Sequence, residues 1–182
     1  MRNFLCCALI CCTGLLAAQN TGTDFVVKDR VLVKYRGTER NVIIPPQLRI
    51  ERIGERAFAG SSIVSVVIPA GVGYIEERAF MGCSFLVSVT LPNTLITLGR
   101  RVFFNCSMLE NINIPRSLVT IEEGAFFNCS SLKEIHIPDT LRKLGSRAFS
   151  GCIGIRTLSI SRRTKLGEHP FMGVPVKITY KD

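Results

Sequence analysis

The stretch IEEGAFFNCSSLKEIHIP, residues 121–138, decides the fold, because the chain repeats its pattern every 22 or 23 residues. Five copies of its first half end in a phenylalanine and a degenerate sixth copy follows, which gives Phe58, Phe80, Phe103, Phe126, Phe149 and Phe171. Three residues after four of these phenylalanines comes a cysteine, at Cys83, Cys106, Cys129 and Cys152. A unit this short cannot bury its own apolar face and must stack on its neighbours, so the sequence predicts a solenoid.

The second half of the repeat has the form L-x-x-I-x-I-P and predicts a short strand, because its apolar residues alternate with polar ones. The clearest copies end at Pro92, Pro115 and Pro138, and proline ends each strand because it cannot donate to the ladder. We expect these strands to pair in parallel into one sheet on the concave side, about 30 Å long. Turns, or short 3₁₀ or helical pieces, are expected on the convex side.

The full pattern, I/L-G/E-x-x-A-F-x-x-C-x-x-L-x-x-V/I-x-I-P, resembles the BspA-type leucine-rich repeat over about residues 42–180. The resemblance implies a leucine-rich repeat solenoid that is displayed outside the cell and has a protein-binding or adhesive role. It implies no catalytic activity, so no catalytic residue is transferred to this chain. We expect no cofactor and no metal site, because a straight ladder of cysteines cannot enclose a tetrahedral zinc ion.

The rest of the chain fits an exported repeat protein. It has 182 residues, a net charge of +9 and 47% hydrophobic residues, which argues against disorder. Residues 1–18 have the layout of a secretory signal peptide, and no later apolar run is long enough to span a membrane. The predicted order is then a hairpin cap with a degenerate first coil over 19–52, five repeats over 53–165 and a degenerate C-terminal repeat or cap over 166–182. We expect a periplasmic, cell-surface or secreted protein.

The cysteines have two interpretations. Four leave with the signal peptide, and the other four occupy one column of the repeat. We expect that column to consist of small buried side chains whose thiols bond to turn backbone. Disulfide pairing of neighbouring coils is the alternative, although parallel Cβ vectors would strain it.

Three surfaces are candidates for binding. The first is an apolar patch beside the cysteine turn, formed by Met81, Phe85, Phe104, Met108 and Phe127. The second lies between the apolar strand residues of the concave face, where the most polar positions are Asn111, Asn113, Glu134 and His136. The third is a basic ladder on the outer turns, formed by Arg56, Arg78, Arg101 and Arg147. Each surface has a simpler interpretation as core, as solvated sheet or as local ion pairs.

These surfaces lead to several hypotheses about function. The first is protein recognition by the repeat surface, with a host extracellular component as one possible partner. The alternatives are a small apolar ligand held by the patch, a polyanion held by the arginines, and a structural role in the envelope. Nucleic acid is disfavoured because the chain is exported and lacks aromatics on a basic groove. An enzyme is disfavoured because there are two histidines and no paired acid–base groups. The sequence leaves the oligomeric state open.

Overall fold

The computed structural model describes residues 22–182, so the predicted signal peptide lies outside the described residues. Its strands are short, and their bounds are β1 Phe25–Lys28, β2 Val31–Tyr35, β3 Asn41–Ile43, β4 Arg52–Ile53, β5 Ser65–Val67, β6 Tyr74–Ile75, β7 Ser88–Thr90, β8 Thr97–Leu98, β9 Asn111–Ile112, β10 Thr120–Ile121, β11 Lys143–Leu144, β12 Ser159–Ser161, β13 Lys165–Leu166 and β14 Thr179–Lys181. Two 3₁₀ turns, Gly22–Asp24 and Pro46–Leu48, are the helical pieces within the described part of the chain.

The chain winds into a solenoid of about seven turns built from parallel strands, which confirms the predicted fold class. Each coil contributes a two-residue strand to one side of the solenoid. These strands form a continuous eight-stranded sheet in the order β1-β2-β4-β6-β8-β10-β11-β13. All its pairs are parallel except the hairpin pair β1–β2. The repeat was not expected to form a sheet at this position, because two residues are too few to show alternation.

The L-x-x-I-x-I segments pair in parallel as predicted, but they do not form one sheet. Strands β3, β5, β7 and β9 make a four-stranded sheet, and β12 pairs with β14 in a separate two-stranded sheet. Between them a single bridge joins Glu134 to Thr157. The expectation of one concave sheet is therefore corrected. We call this side of the solenoid, from β3 to β14, the concave face.

The core is a file of stacked phenylalanine rings. Phe80, Phe103 and Phe126 are fully buried. The ring centroids of successive coils, from Phe58 to Phe171, lie 4.8 to 6.0 Å apart. Leucine, isoleucine and alanine columns pack around this file and are buried as well. Each coil therefore hides its aromatic face against the next coil, as the repeat length requires.

Backbone hydrogen bonds tie the phenylalanine turns to one another. The N–H of Phe103 donates to the carbonyl of Ala125 in the next coil at 2.8 Å, whereas the N–H of Phe104 donates within its own turn to Arg101 at 3.2 Å. The same alternation recurs from coil to coil. The turns thus satisfy buried main-chain groups without forming a helix.

The hairpin β1–β2 covers the first coil, as the sequence predicts. Its two turn residues, Asp29 and Arg30, both have positive φ, which suits the twist of a two-residue hairpin. Leu32 is fully buried, and the ring of Tyr35 stacks on Phe58 with centroids 5.0 Å apart. The hairpin therefore replaces the missing coil at this end of the core.

Candidate functional site

The concave face contains an open groove at the point where its sheet is interrupted. Among residues 22–182 no ladder joins β9 to the following coil, so the main-chain edge of β9 faces that coil without strand pairing. The groove has a volume of about 620 Å³. Its lining comprises Ser88, Val89, Thr90, Glu110, Asn111, Ile112, Asn113, Lys133, Glu134 and His136. The four polar residues predicted for the concave face therefore all line one groove.

Asn113 explains where the strand ends. Its side-chain amide donates to the carbonyl of Leu91 at 2.9 Å, and its side-chain oxygen accepts the N–H of Leu91 at 2.8 Å. In the preceding coil the equivalent N–H of Ile68 bonds to the main-chain carbonyl of Thr90. The Asn113 side chain thus replaces its own backbone in the ladder, and its hydrogen-bonding groups are engaged within the protein.

Glu134 and His136 are exposed within this groove, so their side chains are accessible to a partner. Lys133 and Glu110 form an ion pair across the interruption, with Nζ and Oε2 3.3 Å apart. Neither residue was predicted from the sequence. The ion pair could have been predicted, because Glu110 and Lys133 carry opposite charges and are separated by one repeat of 23 residues.

The predicted apolar patch divides into an exposed part and a half-buried part. Phe85 is 48% and Met108 46% exposed, while Met81, Phe104 and Phe127 are half-buried. The rings of Phe104 and Phe127 are stacked, with centroids 4.9 Å apart. These five side chains are neither core nor a closed cavity. Binding by them remains a prediction.

The exposed pair borders the groove. Met108 precedes the groove residue Glu110 by two positions, and Phe85 occupies the same position one coil earlier. The Arg40 guanidinium, immediately before β3, lies 5.9 Å from the centroid of the Phe85 ring. We call Phe85 and Met108 the apolar flank.

The arginines of the basic ladder share a left-handed backbone conformation. Arg56, Arg78, Arg101 and Arg147 all have φ between +53° and +56°. Gly124 takes φ +60° at the equivalent turn position. Left-handed backbone costs an ordinary residue about 1 kcal/mol or more, so these turns are held in place by the inter-coil bonds around them.

Ion pairs neutralise much of this ladder. Arg78 Nη1 lies 3.1 Å from Glu77 Oε1, Arg101 Nη2 lies 3.5 Å from Glu123 Oε1, and Arg56 also contacts a neighbouring glutamate. In the described part of the chain Arg147 has no such ion pair. These ion pairs match the simpler interpretation of the ladder, and polyanion binding by it remains a prediction.

The cysteine column consists of buried free thiols, as expected. Each thiol donates to the carbonyl of the phenylalanine in the preceding coil; Cys129, for example, donates to Phe103 at 3.2 Å. Burial raises the pKa of Cys129 well above its ordinary value and that of Cys152 to about 12. Cys129 and Cys152 are therefore poor nucleophiles and act as structural groups.

A family model supports the same architecture. The BspA-type leucine-rich repeat model matches residues 51–176 in six copies. The chain belongs to the BspA-type leucine-rich repeat family. No curated protein sequence matches it significantly.

Solved structures of bacterial leucine-rich repeat proteins are similar to this BspA-type chain. The leucine-rich repeat protein of T. pallidum superposes with a TM-score of 0.73 at 24% identity, covering 89% of this chain and 85% of that one. A leucine-rich cell surface protein of Faecalibacterium prausnitzii gives a TM-score of 0.72 at 27% identity, covering 86% of this chain and 48% of that one. A leucine-rich repeat protein of Bacteroides ovatus gives 0.63 at 28%, with coverages of 78% and 43%. The chain therefore spans about half the length of the last two.

The described part of this BspA-type protein was also searched for membrane-spanning helices and metal-binding groups. Among residues 22–182, no helix is both long and apolar enough to cross a bilayer. In the same range, no three His, Cys, Asp or Glu side chains are grouped closely enough to hold a metal ion.

Proposed function

We propose that this BspA-type protein is an exported, non-enzymatic binding protein that recognises a protein partner through the concave groove and the adjoining apolar flank. The observation that carries the proposal is the interruption after β9, where the groove opens beside Glu134 and His136. Leucine-rich repeat proteins of the bacterial surface type generally act as protein-interaction scaffolds, and one similar structure is described as a cell surface protein.

The chemistry of the groove suits a protein surface. Glu134 and His136 offer exposed hydrogen-bonding groups, and Phe85 and Met108 offer exposed apolar side chains in the turns that lead into the groove residues Ser88 and Glu110. Specific interfaces combine apolar with polar contacts, and aromatic residues and methionine are enriched in them. Host extracellular components are the partners we test first.

The experiment measures binding to extracellular-matrix and serum proteins with paired variants. Glu134→Ala/His136→Ala removes two exposed side chains of the groove, and Phe85→Ser/Met108→Ser removes the apolar flank. The control is Ile153→Ser, because Ile153 is 59% exposed and lies outside the groove. We expect each paired variant to weaken binding by about tenfold or more and the control to bind like the wild type.

One result would contradict the proposal. If the control and the paired variants bind as tightly as the wild type, then a different face recognises the partner and the proposal is wrong. Asn113 is unsuitable for this test, because replacing it would also disturb Leu91.

The small-ligand alternative has weaker support. The grooves on the concave face and on the eight-stranded sheet are lined by none of the five apolar patch residues. The half-buried, stacked rings of Phe104 and Phe127 are the observation in its favour. Native mass spectrometry of the mildly purified protein distinguishes the two functions, because a lipid-sized mass adduct would support the alternative. A structural envelope role predicts neither an adduct nor a partner.

A further inference from the structure

Positive charge is concentrated at the C-terminal end of the solenoid. Residues 136–182 contain nine Lys or Arg and three Asp or Glu, a net charge of +6. Residues 22–135 contain thirteen Lys or Arg and eleven Asp or Glu, a net charge of +2. The last quarter of the chain therefore carries most of the excess charge, although the basic ladder lies mainly outside it.

A second groove lies within this basic region. It has a volume of about 360 Å³ and runs across the outer face of β11 and β13. Its rim includes the exposed side chains of Arg142, Lys143 and Lys165, and its floor includes Gly145 and Gly167. Lys143 and Lys165 are direct partners in the parallel ladder, so their side chains leave the sheet about 4.8 Å apart.

The glycine floor removes the carboxylates that neutralise this column elsewhere. Two coils carry a glutamate at the equivalent position, and those glutamates pair with cations of the neighbouring coil: Glu76 with Arg52 at 3.1 Å, and Glu122 with Lys143 at 2.9 Å. Lys165 has Gly145 in the preceding coil and Gly167 in its own. Among the described residues no carboxylate pairs with it.

Close contact with the preceding coil excludes side chains from Gly145 and Gly167. A Cβ atom on Gly145 would overlap the amide nitrogen of Glu123, and one on Gly167 would overlap that of Ser146. An acidic side chain therefore cannot be accommodated at either position without moving the coils apart. The two acids that do line the groove, Glu122 and Glu123, already contact Lys143 and Arg101.

We propose that this groove and its cationic rim, centred on Lys165 and Arg142, bind a linear sulfated polysaccharide that lies along the solenoid axis. The groove is open, and its cations Arg142, Lys143 and Lys165 come from two successive coils, which suits a polymer with repeated anionic groups. A folded protein partner fits less well, because Leu144 is buried and Leu166 half-buried, so the groove lacks an exposed apolar anchor. This surface is separate from the concave groove and does not depend on the function proposed above.

The test compares two variants with the same change in net charge. Arg142→Ser/Lys165→Ser removes two cations from the rim, and Lys28→Ser/Lys34→Ser removes two exposed cations from the hairpin at the other end. The probe is heparin, measured by affinity at about 0.05 M and about 0.15 M salt, where screening lengths differ. We expect the groove variant to bind about tenfold more weakly than the wild type and the control to change by less than about twofold.

Three results would overturn the proposal. Wild-type protein that does not bind heparin at low salt has no such site. Equal weakening in both variants would mean that net charge alone attracts the polymer. Polyglutamate that displaces heparin at equal anion concentration would assign the groove to acidic polypeptides instead. Partner binding at the concave groove is measured on the same variants, so failure of one proposal is separable from failure of the other.

Discussion

The cysteine column links each coil to the preceding one through hydrogen bonds from buried thiols. Cys129 and Cys152 are buried, and each thiol donates to a carbonyl of the coil before it. Burial keeps both protonated in the folded protein, with the pKa of Cys152 raised to about 12 and that of Cys129 well above the ordinary value. An unfolded thiol ionises near pH 8.5. The stabilisation by these thiols is therefore complete below about pH 8.5 and is lost as the pH rises towards 12.

We accordingly predict that the free energy of unfolding falls with alkaline pH, by up to about 1.4 kcal/mol per pH unit for each thiol. Urea titrations at about pH 8 and about pH 10 measure the slope. The comparison protein is Cys129→Ala/Cys152→Ala, which is less stable at neutral pH but has a shallower slope. Tyr35, whose pKa burial also raises, is present in both proteins and cancels in the comparison. Identical slopes would contradict the assignment.

Residue roles could be predicted only where a column is chemically uniform. Burial of the cysteines and phenylalanines follows from their strict spacing. The left-handed backbone of Arg56, Arg78 and Arg101 does not, because arginine has no preference for positive φ and only Gly124 in that column hints at it. The sequence revealed that this column is positively charged, and only the structure revealed its left-handed backbone.

At the scale of the element, Asn113 determines where a strand stops. The equivalent residues in the two preceding coils are Val67 and Thr90, and there the strands run for three residues, whereas β9 has two. We predict that Asn113→Thr extends β9: replacement by either threonine or alanine removes the amide from Leu91, but only the branched threonine side chain favours the extended backbone with which Leu91 would pair. The free energy of unfolding should then change by less than about 1 kcal/mol, whereas Asn113→Ala should lower it by about 1–2 kcal/mol.

Urea unfolding and amide hydrogen exchange over residues 88–114 measure the two effects. Matching losses in the threonine and alanine variants would show that the backbone cannot take over the bonds of the side chain. A threonine variant that keeps its stability but binds a partner more weakly would show that the end of β9 contributes to binding at the concave groove.

The sequence could not predict that strand pairing stops after β9. The coils on its two sides keep the full apolar pattern, with Ile112, Ile114 and Pro115 in one and Ile135, Ile137 and Pro138 in the next. Apolar spacing reports which side chains face the core, and it does not report whether two main chains are paired. The sequence could therefore place the polar concave residues together but could not predict that a groove opens among them. The same limit hid the eight-stranded sheet, whose strands have two residues in most coils.

At the scale of the whole molecule, the two ends of the solenoid differ. The first coil is covered by the hairpin, and its Ala57 carbonyl accepts the N–H of Tyr35 at 2.9 Å. The last coil, with β13 at the edge of its sheet, carries the basic groove. Because each coil contacts mainly its neighbours, stability depends on how well the terminal coils are covered. The hairpin was predictable from two apolar runs, Val26-Val27 and Val31–Tyr35, on either side of Lys28–Arg30. The excess charge can be counted from the sequence, whereas the ion pairs that neutralise some of the cations required the structure.

We predict that removing residues 22–35 destabilises the entire array. The deletion would expose the ring of Phe58 and the edge of β4, which pairs with β2 through Val31 and Arg52. Lost burial of Phe25, Leu32 and Tyr35, at about 2 kcal/mol each, corresponds to a fall in Tm of roughly 12–24 °C. Thermal unfolding and size-exclusion chromatography measure stability and self-association, and Lys28→Ser/Lys34→Ser is the control that alters the hairpin without uncovering the core. A deletion variant that stays monomeric and unfolds at the wild-type temperature would show that the first coil closes its own end, because an uncovered core and a free strand edge are expected to associate.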